Sequence, residues 1–559
     1  MHSNQSKHQP ANSKQFNSST MTDPACAVRD FITSNLSQMT KQLTTASLKS
    51  PSVVTFSADF GTPVSIFHHL IQLSKNGFLF ESTEGDGRLA RFSFLGVDPL
   101  FTVSIKNGEA VISRDGRDEI QSVDNPVAFL EEILERNTKE LENSGSSTEK
   151  SQPSGGVSLG ELPFFGGLVG YMGYAGAGYI EKIERQAQDP FGVPDAYYGF
   201  YDAIVAFDHQ YRRISVVSHR GESHAYQLMK QTMSRSGLVP LRLEPIALTE
   251  EELFDGVSGP FDQAAYEKSV KQAKQFIHEG QAFQIVVAQR FSMKSNSDPI
   301  DIYRMLQATN PSPYAYYLKC PDFEYIGSSP ETFVRCREGQ VMLRAIAGTR
   351  PRGKTVEHDE QLAVELRANE KEMAEHRMLV DLGRNDLGRV CTPGSIKLGE
   401  LASLTRYTHV MHLATEISGR LAPDKTSFDA FQSCFPAGTV SGAPKVRAMQ
   451  LLTQLEPEQR GIYSGAVGYF DLHGNMDGAI AIRSALVKNG MVHVNAGAGI
   501  VFDSDPEMEY HETRNKAKSL IQAVKLAEIA RNKLDLLGAS SPTGQSASTS
   551  QPAKKEGAK

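Results

Sequence analysis

Four glutamates arrive as two pairs, each one helical turn apart: Glu372 with Glu375, and Glu509 with Glu512. Carboxylates at that spacing share a helix face. They suit a hard cation such as Mg2+, which needs only one or two of them and keeps waters elsewhere. Three glycine-rich segments accompany them: Ala347-Gly348-Thr349, Gly438 to Lys445, and Asn495-Ala496-Gly497-Ala498-Gly499. Read as turns, they offer bare backbone amides to an anionic ligand. A site with both features takes a metal together with a carboxylate- or phosphate-bearing small molecule, which points to an enzyme. A solvated helix face, with Glu512 merely paired to Lys516, fits the same glutamates.

Arg483 lies in the run Ala479 to Val487, whose alternation predicts a strand with Ile480, Ile482 and Leu486 on one face. An arginine in so apolar a run needs a partner. Its planar fork matches a carboxylate, whether of a ligand or of the protein. Alternation over Tyr407 to Leu413 sets His412 opposite His409; a core histidine and a catalytic one both fit that position. Lys445 lacks the Walker spacing and Asn495 to Gly499 lacks G-x-G-x-x-G, so ATP and NAD are not supported.

These residues are far apart in the chain, so the elements between them must do the positioning. Helical periodicity covers Gln263 to Gly280, Asp359 to Leu382 and Pro506 to Leu536, with Asp505-Pro506 as cap and first residue. β-Branched runs at Phe101 to Ile105, Ala203 to Phe207 and Ile214 to Ser218 predict strands. Strand clusters interrupted by long helices, without a βαβ rhythm, predict an α+β fold with large antiparallel β-sheets packed with helices. The 559 residues imply two domains or one large double-layered one. We expect a disordered N-terminal tail over 1–45, an N-terminal domain over 46–250, a catalytic domain over 251–535 and a low-complexity tail over 536–559. The boundary falls in the charged stretch Glu250 to Asp262.

With 58 basic and 65 acidic residues the formal charge is −7, and no basic run stands out, which argues against nucleic acid. Five scattered cysteines form no C-x-x-C pair, the pattern of a reduced cytoplasmic protein. No apolar run approaches a membrane span, and the polar N-terminus lacks a signal-peptide core.

Assembled in order, Ile346 to Gly353, Ala374 to Leu382, Val410 to Leu413, Gly438 to Met449, Gly465 to Tyr469, Ala496 to Val501 and Glu512 to Lys516 resemble the chorismate-utilising enzymes, and most closely their anthranilate synthase component I branch. The resemblance spans roughly Ser52 to Ile529 and implies that branch's fold and chemistry: chorismate plus ammonia gives anthranilate and pyruvate, opening L-tryptophan synthesis. It implies Mg2+ on Glu375 and Glu512, with Glu372 as general acid. Chorismate contacts fall on Gly348, Thr349, Tyr463, Arg483, Gly497, Ala498 and Gly499. His412 serves the second, aromatising stage, and Thr439 lines the pocket. Gln284 stands where water-using relatives carry lysine, and Ala347 where the aminodeoxychorismate-forming sibling has lysine; both favour anthranilate. That folate-pathway sibling is the alternative, with a catalytically retired regulatory relative further off. Ser82, Pro313, Tyr314 and Ala315 match segments that bind inhibitory L-tryptophan. No cysteine sits on a G-x-C-x-G turn. The resemblance therefore implies a separate glutamine amidotransferase partner (component II) delivering ammonia, in an assembly of two large and two small subunits.

Overall fold

The computed structural model describes residues 51–82, 91–144, 162–186, 188–233, 238, 241, 247–407 and 410–539. The expectations for the N-terminal tail, for most of the C-terminal tail and for His409 lie outside these residues. Two antiparallel sheets, of 11 and 12 strands, carry the fold. The predicted runs at Phe101, Ala203 and Ile214 become the strands Phe101–Lys106, Ala203–Asp208 and Arg213–Ser218.

Both sheets mix strands from either side of Glu250. In the 11-stranded sheet, Gly77–Glu81 pairs with Tyr314–Cys320. In the 12-stranded sheet, Gly167–Met172 pairs with Ala466–Asp471. An aromatic layer lies between the sheets: Phe78, Tyr316 and Tyr325 from one face and Tyr171 and Tyr201 from the other, all buried. Burying such rings stabilises by about 1.5–3 kcal/mol each, so the two sheets act as a rigid frame for whatever their edges hold.

The predicted helix over Asp359 to Leu382 is two helices, Val356–Ala368 and Glu370–Gly388. Asn369 breaks it. Its backbone is extended (ψ 110°), and its side chain accepts from Glu372 N, capping the second helix. Glu365 therefore sits on a different helix from Glu372 and Glu375. The last helix, Pro506–Ala539, starts as expected, with Asp505 Oδ1 accepting from Met508 N at 3.0 Å. No helix among the described residues is long and apolar enough to cross a membrane.

Candidate active site

Strand register aligns the glycines with their neighbours. Gln284–Lys294 lies against Met491–Ile500, with Val286 opposite Gly499, Val287 opposite Ala498 and Ala288 opposite Gly497. Asn495 to Gly499 is therefore strand interior, not the turn its composition suggested. The glycines supply clearance there. A Cβ on Gly499 would lie 2.8 Å from Gln284 Nε2, and one on Gly497 would lie 3.3 Å from the Tyr463 hydroxyl. Ala347-Gly348-Thr349 is likewise no hairpin but a bulge within Gln340–Pro351, where the register against Val410–Arg420 slips so that Thr349 faces His412. Gly348 takes φ +68°, which a side chain resists. Only the Gly438 to Lys445 segment turns, as a short 3-10 helix at Gly438–Val440.

Arg483 corrects the strand reading. Its apolar run divides into Met476–Ile480, in the 12-stranded sheet, and Ser484–Lys488, in the 11-stranded one. Arg483 stands at the crossing with φ +50°. Backbone bonds hold the crossing, among them Ile480 N to Glu331 O (3.1 Å) and Ser328 N to Arg483 O (3.0 Å). The half-buried guanidinium makes no ion pair or hydrogen bond among the described residues. Burial lowers its pKa, opposed by the nearby Tyr463, Glu331 and Glu512.

The two acidic helices do converge. Gln284 Nε2 donates to Glu375 Oε1 at 3.1 Å. Burial raises the Glu375 pKa, and the charges of Glu372 and Glu512 push it further. Glu509 is raised by burial and by Glu512. Lys516 Nζ bonds Glu512 (2.6 Å) and the Gly497 carbonyl (2.9 Å). The lysine is thus both the expected i,i+4 partner and a link to the glycine strand. Glu372 is engaged by Arg350 at 3.1 Å, which also reaches Glu365.

No three His, Cys, Asp or Glu side chains among the described residues form a metal cage. Mg2+ does not require one: two carboxylates, waters and a ligand oxygen complete its shell. Glu375 and Glu512, mutually repelling and on separate helices, fit that donor set.

His412 Nδ1 lies 3.0 Å from Thr349 Oγ1 and 3.2 Å from the Gly348 carbonyl. Burial lowers its pKa, as do the charges of Arg483 and Arg344, against the Gly348 carbonyl, which raises it. The net shift favours the neutral imidazole, the form that can act as a base.

Sequence reasoning missed Glu331. It follows Ser328-Ser329-Pro330 at the start of Thr332–Arg337, with no periodicity or paired charge to mark it. Burial pushes its carboxyl up to about 7, against the nearby Thr439, Arg483 and Lys516. Thr439 Oγ1 is buried without a hydrogen-bond partner. Glu331, Thr439 and Gly438 line a cavity of about 50 Å³.

A second, larger cavity of about 270 Å³ opens between the sheets. Ser82, Pro313, Tyr314 and Ala315 all line it, together with Glu81 and Asp477. Ser82 Oγ is buried there without a partner. Burial pushes Glu81 up to about 7, although Tyr303 donates to it at 2.6 Å.

The chain belongs to the chorismate binding enzyme family, which it matches over residues 77–522. Among its relatives, anthranilate synthase component 1 of Pseudomonas putida is 39% identical over 490 residues, covering 84% of this chain and 94% of that one. The Synechocystis protein of the same name is 41% identical over 500 residues, with the same coverage. The crystal structure of anthranilate synthase component I from Streptococcus pneumoniae superposes with a TM-score of 0.66 at 36% identity. It covers 78% of this chain and 93% of that one.

Proposed function

We propose that this chain is the chorismate-using component of an anthranilate synthase, taking ammonia from a separate glutamine amidotransferase subunit. One observation carries the reading: a guanidinium with no ion pair or hydrogen bond among the described residues, Arg483, near a buried acid, Glu331. Arg483 pairs with a substrate carboxylate. Glu331, protonated below about pH 7, donates to the departing C4 hydroxyl as ammonia adds at C2. The acid role passes here from Glu372, which Arg350 holds in an ion pair. Gln284, an uncharged amide bonded to Glu375, cannot deprotonate water, which favours ammonia as nucleophile. His412 takes the C2 proton in the second stage, when enolpyruvate leaves and the ring aromatises. Glu375 and Glu512 would hold Mg2+, which when bound neutralises the ring carboxylate.

Chorismate, MgCl2 and ammonium should give the fluorescence of anthranilate, and EDTA should abolish it. Glutamine should not replace ammonium for the isolated chain. Pyruvate released without an anthranilate spectrum would refute the product.

We further assign the inter-sheet cavity to inhibitory L-tryptophan. The residue before Pro313 in its wall is tied to Arg483: Ser312 Oγ donates to Ser328 O at 3.1 Å, and Ser328 N donates to Arg483 O. Inhibition needs a coupling of about 1–3 kcal/mol between the two ligands. The chain contains no tryptophan, so the ligand's own fluorescence reports binding without background. Ser82→Phe removes the unpartnered hydroxyl and fills the space around it. It should abolish both the binding signal and the inhibition while turnover continues; full inhibition in that variant would reject the site.

A further inference from the structure

The bulge at Gly348 does more than admit a ligand. Two oxygens face His412 Nδ1, the Gly348 carbonyl at 3.2 Å and Thr349 Oγ1 at 3.0 Å. A carbonyl can only accept. If Nδ1 carried a lone pair, it would meet the carbonyl lone pairs head-on, and the threonine hydroxyl alone would satisfy it. With hydrogen on Nδ1, both oxygens accept from one N–H and no repulsion remains. The second nitrogen, Nε2, has no hydrogen-bond partner among the described residues. The arrangement depends on the register slip: without the extra residue, Thr349 would not lie opposite His412.

We propose that Thr349 and the Gly348 bulge are positioning elements that fix His412 as the Nδ1–H tautomer, leaving the Nε2 lone pair as the base. The inference rests on the functional reading above, in which His412 acts in the second stage, and it adds what makes that histidine competent. In that step the C2–H bond breaks and its proton goes to Nε2. The C–H electron pair becomes the C2–C3 π bond of the aromatic ring, the C3–O bond breaks, and enolpyruvate leaves to be protonated to pyruvate. No oxidant or reductant is involved. An imidazole held as the other tautomer would present an N–H to the C2 proton and could not accept it. In a related arrangement, the Ser-His-Asp triad, the wrong tautomer lowers kcat by about 10⁴-fold with the geometry intact. The bulge glycine is needed for the same geometry, since a Cβ on Gly348 would stand 2.9 Å from Leu366 Cδ1 and 3.1 Å from Glu372 Oε2.

Thr349→Val keeps the shape and removes the oxygen; Thr349→Ser restores it. With chorismate, ammonium and MgCl2, the valine variant should lose at least about 10-fold in kcat for anthranilate, over and above any rise in KM from the altered chorismate contact. The aminated ring, still carrying its enolpyruvyl group, should accumulate. The serine variant should recover the parent rate. ¹⁵N shifts of His412, assigned by their loss in His412→Gln, should place the proton on Nδ1 in the parent chain. A valine variant that raises KM alone, a serine variant as slow as valine, or a proton found on Nε2 would each overturn the proposal. A parent chain that forms no anthranilate would instead reject the functional reading.

Discussion

Glu331→Gln should lower anthranilate formation by about 10²–10⁴-fold, the range of a lost general acid, while the chain still binds chorismate. The substitution is nearly isosteric and removes only the transferable proton. In the parent chain, burial holds this carboxyl near 7, and the sign of the pH dependence follows. An acid with a raised pKa keeps its proton below that value and loses it above, so kcat/KM, which reports the free enzyme, should fall as pH rises through about 7. The glutamine variant should be slow throughout and lack that limb. Glu372→Gln should be milder and retain it, because Glu372 serves Arg350 rather than the leaving group. Rates with saturating ammonium across the neutral range decide the matter. A Glu331→Gln variant that keeps the alkaline fall, or a Glu372→Gln variant that loses it, would return the acid role to Glu372.

The contrast between these two glutamates shows what a linear reading can reach. Glu372, Glu375, Glu509 and Glu512 were legible because a helix repeats, and i,i+3 spacing marks a shared face before any fold is known. The cap at Asp505 was legible for the same local reason. Glu331 was not, because its significance comes from burial within reach of the Arg483 charge, and that proximity is made by a chain crossing between sheets. The same crossing defeated the strand reading of Arg483. Alternation reports which residues share a face, but it cannot say that Ile480 and Ser484 leave for different sheets. The glycine segments failed differently. Gly497 and Gly499 are punctuation in sequence, yet in the fold they are a flat strand cleared for Gln284 and Tyr463. Composition identified the need for bare backbone and missed its conformation. The residues we assign to L-tryptophan could be grouped only through family resemblance. Four positions from two distant segments line one cavity, and nothing local connects them.

Arg483→Gly should sharply lower chorismate turnover without destabilising the chain. A non-glycine residue in the left-handed region is disfavoured by about 1–2 kcal/mol, and Arg483 sits there at φ +50°. Glycine removes that strain. The added freedom of the unfolded chain offsets only about 0.4–1 kcal/mol of the gain. The guanidinium is also half-buried with no ion pair among the described residues, so its removal spares a desolvated charge and breaks no bond. The melting temperature should hold or rise. Turnover should fall by on the order of 10²–10³-fold, the loss typical of a single preorganised donor in a site sheltered from water. Chorismate should protect the parent from thermal unfolding and fail to protect the variant, because a ligand stabilises only the state that binds it. A variant that melts well below the parent would show that Arg483 braces the crossing between the sheets, and strain at this position would then be structural rather than held in reserve for a ligand.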